Sequence, residues 1–438
     1  MKLPRIFLVI GVLSLAALFA FACSDDDGDG NGNGNGNGDP TDVIDELLTD
    51  FGVTDTEIKL GQTTALSGNP SATGYAAIAS GTEAAFATIN AEDGGACGRQ
   101  INFKFVDDQY DPALSLDQAT RLAVQDEVLA FVGNLGTPAV SGHIDFVNDP
   151  NGDGDTSDGI PHLYLSTGAA KWDDPEQWPW TIGYIPDYVS EGQVLARTAN
   201  ELFPGQTAAI LYQNDDFGED GRAGIKAVFE GEIVAEQSYD ATAADVTSQM
   251  ANIRDADPDI VFFYSTFLIT SNAATYMAQN DWNPQMFWSY VNPPTVVGAV
   301  LGGADGPEAG YRRIAGTVAA SYLLDPIADA DLPAMIEHVR IMETYDGPPV
   351  SALTVYGDSL ARLVKHTLEV ACDNGDMTRA GMLAAAESIQ GYVNDLYFPG
   401  IEVNLGPDDH FAIESLQPVE VQEDGSLLPL GDLIDVAD

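Results

Sequence analysis

Basic side chains are scarce in this chain: 17 Lys and Arg stand against 68 Asp and Glu, a formal net charge of −51. Phosphate binding needs clustered Lys and Arg, so nucleic acid is excluded as a partner. The acids are scattered rather than blocked and read as a solvated surface. Such self-repulsion favours an ion-rich medium, where screening lengths shrink to roughly 3 Å. Thermal stability should therefore rise with NaCl, and a flat or falling curve removes the idea. Histidine is also rare, and the five residues His143, His162, His338, His366 and His410 lie far apart. None forms a zinc pair at helical spacing, and there is no nucleophile elbow or phosphate loop, which argues against an enzyme. Long apolar runs are missing beyond the N-terminus, so no later stretch could cross a bilayer as a helix.

What is there begins with Lys2 and Arg5, then an apolar run over 6–21 that meets Ala22-Cys23. Residues 1–23 read as a secretory signal with a cleavable end. A cysteine at the cut marks a bacterial lipoprotein, making Cys23 the expected lipidation site. Ala20 and Phe21 depart from the usual residues before such a cut, and an ordinary signal peptide with a chance cysteine is the alternative. Residues 24–39 carry an Asn-Gly repeat and no apolar side chain. They are expected to be disordered, spanning on the order of 20–25 Å as the core of a tether over 24–55. The body is thus expected outside the cytoplasm, anchored by lipid on the periplasmic or cell-surface side of a bacterial membrane. Cys97 and Cys372 remain as an even pair in an oxidising compartment. They form either one disulfide, worth roughly 4–5 kcal/mol in the chain-entropy account, or two separate buried thiols.

The body starts at Glu57 and alternates. A strand over 58–64 leads through a small-residue loop to a helix from Gly74, on which Ile78, Ala85, Phe86 and Ile89 share a face. A strand over 101–106 meets Asp111-Pro112, a helix cap with Pro at the first helical position. Further strands are expected over 129–133 and 162–166. The alternation restarts after Trp178-Pro179-Trp180, with strands over 208–212, 233–239, 260–264 and 285–289, after which 316–322 leaves this second sheet. This pattern predicts an α/β fold: two doubly wound parallel-sheet lobes with a cleft between them.

Several motifs then carry a resemblance. Ile58-Lys59-Leu60-Gly61, Leu66-Ser67-Gly68, Ala87-Thr88-Ile89-Asn90, Asp107-Asp108, Phe131-Val132-Gly133, Gly183-Tyr184 and Tyr212-Gln213-Asn214-Asp215-Asp216-Phe217-Gly218 run in order through the chain. Together they resemble the leucine/isoleucine/valine-binding type of ABC-transporter solute-binding protein, a type I periplasmic binding fold. Thr167-Gly168-Ala169-Ala170-Lys171-Trp172 and Trp178-Pro179-Trp180-Thr181 are similar to a sub-branch whose members carry a two-cysteine pattern, which implies the Cys97–Cys372 disulfide. The resemblance implies a three-segment hinge, with lobe 1 over 57–184 and 321–402 and lobe 2 over 185–320 and 403–438. It implies a monomer that captures a small-molecule solute, requires no cofactor, and delivers its load to the permease and ATPase subunits of an ABC importer. A ligand-sensing module for a membrane receptor is the alternative.

In open α/β sheets ligands sit beyond the carboxyl ends of strands. Those places hold Ser67 and Gly68, then Leu135 to Thr137, then Thr167, Gly168, Ala169 and Ala170, all small or hydroxylated apart from Leu135. Such loops either bring backbone N–H groups to a ligand or merely turn the chain. The resemblance places a ligand carboxylate against Thr137 and the backbone of Gly168 to Ala170. Lobe 2 is expected to close with Phe217, Thr266, Phe267 and Tyr290, aromatic groups giving contact area at low entropic cost. Lys171 and Trp172 either line the mouth or are a solvated charge and a packing ring. Amino-acid binders of the family place a carboxylate after the strand around Phe287, where this chain has Val291. An α-amino acid is therefore expected to bind poorly unless Asp215 or Asp216 swings in, since a buried ammonium without a partner costs several kcal/mol. A small apolar or aromatic carboxylate, or an amide, fits as well.

Asp149, Asn151, Asp153 and Asp155 stand at alternate positions in an Asp/Gly-rich insertion. The pattern resembles a Ca²⁺ loop, but Ile160 occupies the twelfth position where a bidentate Glu is usual. It is either a structural Ca²⁺ site or a solvated acidic turn.

Overall fold

The computed structural model describes residues 47–437. The leader, Cys23 and the Asn-Gly repeat lie outside the described residues. No described helix is long and apolar enough to cross a membrane.

Lobe 1 is built on five parallel strands in the order Gln100–Asp107, Glu57–Thr64, Ala130–Val132, His162–Leu165 and Thr181–Gly183. The strand Glu57–Thr64 is buried from Leu60 onward because neighbours flank it and helices cover its faces. Lobe 2 repeats the plan with Ile233–Tyr239, Ala208–Gln213, Ile260–Tyr264, Gln285–Trp288 and Val318–Ser321. All five residues of Ile260–Tyr264 are buried, as a central parallel strand of Val and aromatic residues should be. Ser415–Val421 then pairs antiparallel with Val318–Ser321, and Leu427–Pro429 pairs antiparallel with Ser415–Val421.

The chain passes between the lobes three times. It leaves the first sheet after Gly183 and begins the lobe 2 helix Tyr188–Leu202, which Asp187 caps by accepting from the Ser190 N–H at 2.9 Å. It leaves the second sheet after Ser321, and the helix Ala352–Asp373 packs along Ala76–Glu92 in lobe 1. Glycines allow that close crossing: a Cβ at Gly357 would lie 2.2 Å from the Ile78 carbonyl oxygen. The third passage falls later than residue 402, where the sequence reading put it. Residues 403–413 stay with lobe 1, since Gly183 pairs with Phe411 and the Ile413 N–H donates to the Tyr184 carbonyl. The edge of the first sheet offers free backbone partners there, and the chain takes them first.

The end of the expected tether also belongs to the body. Leu48–Thr49 pairs in parallel with Asp376–Met377, and Leu47 and Val53 pack against the core. This stretch has the apolar side chains that residues 24–39 lack. Cys97 and Cys372 are joined by a disulfide with Cα atoms 6.3 Å apart, tying the loop after Ala76–Glu92 to the end of Ala352–Asp373.

Candidate functional site: the crevice between the lobes

Strand order reverses beside the first strand of each sheet, between Glu57–Thr64 and Ala130–Val132 in lobe 1 and between Ala208–Gln213 and Ile260–Tyr264 in lobe 2. Ligands collect at such switch points because the following loops diverge. The loops here face one crevice enclosing about 1030 Å³ of atom-free space, part of it open to solvent. Lobe 1 contributes Tyr75, Tyr110, Leu135, Thr137 and Tyr356, and lobe 2 contributes Tyr188, Phe217, Thr266, Trp288 and Tyr290. The connection between them adds Tyr322 and Asp325.

The rings form a continuous wall. Phe217 meets Tyr188 edge-on at 4.7 Å, Tyr188 stacks on Tyr290 at 6.0 Å, and Tyr290 meets Tyr322 edge-on at 5.3 Å. Two hydroxyls at this wall are committed to protein. Tyr290 donates to the Pro186 carbonyl at 2.6 Å, and Tyr356 donates to Ser166 Oγ at 2.9 Å. What these residues present to a guest is therefore mostly ring surface. Gly136 makes room for one of them: its φ is +92°, and a Cβ there would sit 2.2 Å from the Tyr110 ring.

The lobes touch across the crevice. Tyr75 donates its hydroxyl to the Val291 carbonyl at 3.0 Å, Asn69 donates to the Ala241 carbonyl at 2.7 Å, and Lys171 pairs with Asp216 at 2.5 Å.

Two buried acids frame the wall. Glu191 accepts from Ser289 Oγ at 2.8 Å and the Tyr290 N–H at 2.6 Å, which fixes the Tyr290 loop. Burial pushes its carboxyl up to about 8 in spite of those bonds. Asp325 is 5 % exposed, and burial pushes its carboxyl up to about 6.

Of the residues singled out from sequence, Leu135, Thr137, Phe217, Thr266, Tyr290 and Val291 line the crevice. The others stand behind it or beside it. Ser67 is held by Asp107, whose Oδ1 accepts from the N–H groups of Leu66, Ser67 and Gln109 at 2.9, 3.1 and 3.0 Å and whose Oδ2 accepts from the Ser67 hydroxyl. Gly68 turns the chain at φ +82° against Gln109. Thr167 shares a 2.6 Å hydrogen bond with Thr137 beneath the surface. Gly168 accepts from the Tyr188 N–H at 2.7 Å, and Ala169 is buried with Trp172 in a lobe 1 core cluster. The Ala170 N–H donates to Asp220 of lobe 2 at 2.9 Å. Phe267 packs edge-on against Tyr75 at 5.2 Å. Lys171 is an interlobe ion-pair partner, and Trp172 is a packing ring. Asp215 caps the helix Asp216–Val228 and accepts from Gln213 Nε2 at 2.6 Å, so neither it nor Asp216 lines the crevice. The anion-ready N–H groups of Ser67 and Ala170 are thus answered by the chain's own carboxylates.

Sequence reasoning passed over Tyr75, Tyr110, Tyr188, Trp288, Tyr322 and Tyr356. Asp149 accepts from the N–H groups of Gly152, Asp153 and Gly154, while Asn151, Asp153 and Asp155 accept from Asp153, Asp155 and Ser157 in turn. Among the described residues no group of three or more His, Cys, Asp or Glu converges on a metal position.

The chain belongs to the periplasmic binding protein family, whose sequence profile matches residues 57–426. This is an extracytoplasmic family of solute-binding proteins rather than enzymes. A possible leucine/isoleucine/valine-binding protein from Rhodopirellula baltica SH 1 is 25% identical, with a TM-score of 0.72 over 86% of this chain and 96% of that one. A fatty acid ABC transporter substrate-binding protein from Thermomonospora curvata is 20% identical, with a TM-score of 0.74 over 89% and 95%. A branched chain amino acid ABC transporter protein from Thermus thermophilus with bound valine is 15% identical, with a TM-score of 0.74 over 88% and 98%. The last two likenesses carry the type I fold alone. No curated protein matches the chain by sequence.

Proposed function

We propose that this protein traps a small apolar organic solute between its lobes and delivers it to the permease and ATPase subunits of an ABC importer. In this reading it acts as a monomer held near the membrane by lipid at Cys23. The observation that supports it is the aromatic crevice, whose walls come from both lobes, so that a bound solute bridges them and favours closure. Relatives in the type I fold include proteins described as binding valine or fatty acid. An α-amino acid is a poor fit, because two lobe 1 donors for its carboxylate, the N–H groups of Ser67 and Ala170, are occupied by the chain's own acids. A scanning-fluorimetry panel of small solutes, followed by X-ray scattering with any hit, tests the reading. Contraction on binding is the expected result. A verified ligand that leaves the scattering unchanged overturns it, and micromolar binding of leucine overturns the exclusion of amino acids.

A further inference from the structure

Building on the solute-trapping reading, we propose that the solute is an organic cation: a compact ammonium with apolar substituents, held by aromatic faces and by Asp325. Four observations converge. First, Asp325 is the only Asp, Glu, Lys, Arg or His among the described residues that line the crevice, so the pocket holds one formal charge and it is negative. Second, that carboxylate lacks a counter-ion. Its Oδ1 accepts from the N–H groups of Ile327 and Ala328 at 3.0 and 2.6 Å, and it makes no ion pair among the described residues. The charges acting on it are Asp329 and Asp424, both acids. A buried carboxylate among other acids is costly unless a cation completes it. Third, the crossed rings of Tyr290 and Tyr322 stand at the connection that carries Asp325, and Tyr322 is 6.4 Å from Tyr356. Ring faces attract a desolvated ammonium through their quadrupoles. Fourth, two of the backbone donors offered to an anion, the N–H groups of Ser67 and Ala170, are taken by Asp107 and Asp220. The field of a chain with formal charge −51 also draws cations toward the mouth and repels carboxylates.

Titration calorimetry on the full chain with three probes that share a benzyl group tests the charge assignment: benzyltrimethylammonium, phenylacetamide and phenylacetate. The expected result is a cation affinity about tenfold or more above that of the amide, with phenylacetate weakest. Asp325→Asn retains an oxygen for the Ile327 and Ala328 N–H groups. It should weaken the cation about tenfold and the amide less. Tyr322→Leu should weaken the cation more than the amide. Tighter binding of the amide or of phenylacetate, or an unchanged cation affinity in Asp325→Asn, overturns the proposal. If none of the three binds while another class of solute contracts the protein in scattering, the charge assignment falls and solute trapping stands. If no solute of a broad panel produces contraction, both fall.

Discussion

Lobe 1 and lobe 2 share one order of parallel strands, but a buried imidazole pair in lobe 1 and a buried carboxyl in lobe 2 answer to pH in opposite senses. In lobe 1, His143 and His162 meet with their Nε2 atoms 3.2 Å apart, while Asn134 Nδ2 approaches His143 Nε2 at 3.2 Å and Ser115 Oγ approaches His143 Nδ1 at 2.9 Å. Neutral tautomers satisfy this set: His162 and Asn134 donate to His143 Nε2, and His143 Nδ1–H donates to Ser115. A proton added to His143 Nε2 sets donor against donor. Burial accordingly holds His143 down at about 4 and His162 well below the usual imidazole range. In lobe 2 the buried group is Glu191, which burial keeps protonated up to about 8. The imidazole pair must avoid gaining a proton, and Glu191 must avoid losing one. The two therefore set opposite edges of the pH range.

The largest expected effect is on the alkaline side. The folded state holds the Glu191 proton between the ordinary value of 4.5 and about 8, so stability falls as pH rises through that window. By linkage this amounts to a loss on the order of 4 kcal/mol. Glu191→Gln should flatten that limb in thermal unfolding between pH 5 and 8.5; an unchanged slope breaks the comparison. Next comes the acid side. The unfolded chain binds protons at the two imidazoles below 6.5 while the folded chain resists, so stability falls from pH 6.5 toward about 4. His143 alone accounts for on the order of 3 kcal/mol, and His143→Gln should shrink this limb without touching the alkaline one. A smaller loss is expected for Gly136→Ala, which pushes a Cβ into the Tyr110 ring at φ +92°. It should cost about 1–3 kcal/mol and weaken solute binding, read by melting temperature and calorimetry together. The smallest is Lys171→Met. Its pair with Asp216 is more than a third exposed on both sides, so the loss should stay under about 1 kcal/mol. The sensitive readout is scattering without solute, where the variant should be more open; identical curves would mean the pair does not hold the lobes.

Much of the fold was legible because parallel strands buried on both faces leave apolar runs. The stretches over 58–64 and 260–264 stand as strands within a residue of their expected limits. The third passage between lobes was not legible, since residues 403–413 lack periodicity and are placed by edge pairing with Gly183. Site residues were found where they directly follow a strand or its cap, as with Thr137, Phe217, Thr266 and Tyr290. Tyr75, Tyr188 and Tyr356 reach the crevice from helix starts or a helix side, and only tertiary packing brings them there. The capture of the Ser67 loop by Asp107 spans 40 residues in sequence. One local signal existed: Thr64 and Asp107 are register partners at the ends of adjacent strands, so an acid closing one strand faces the loop closing its neighbour.

The bridge between Cys97 and Cys372 spans 275 positions of sequence, and all five parallel strands of lobe 2 lie inside that ring. A protease that clips any one exposed turn between the two cysteines therefore releases nothing. The nicked chain stays a single covalent object, and its halves part only when a reductant opens the sulfur link. For a member of an extracytoplasmic family, one cut is then a wound rather than an amputation.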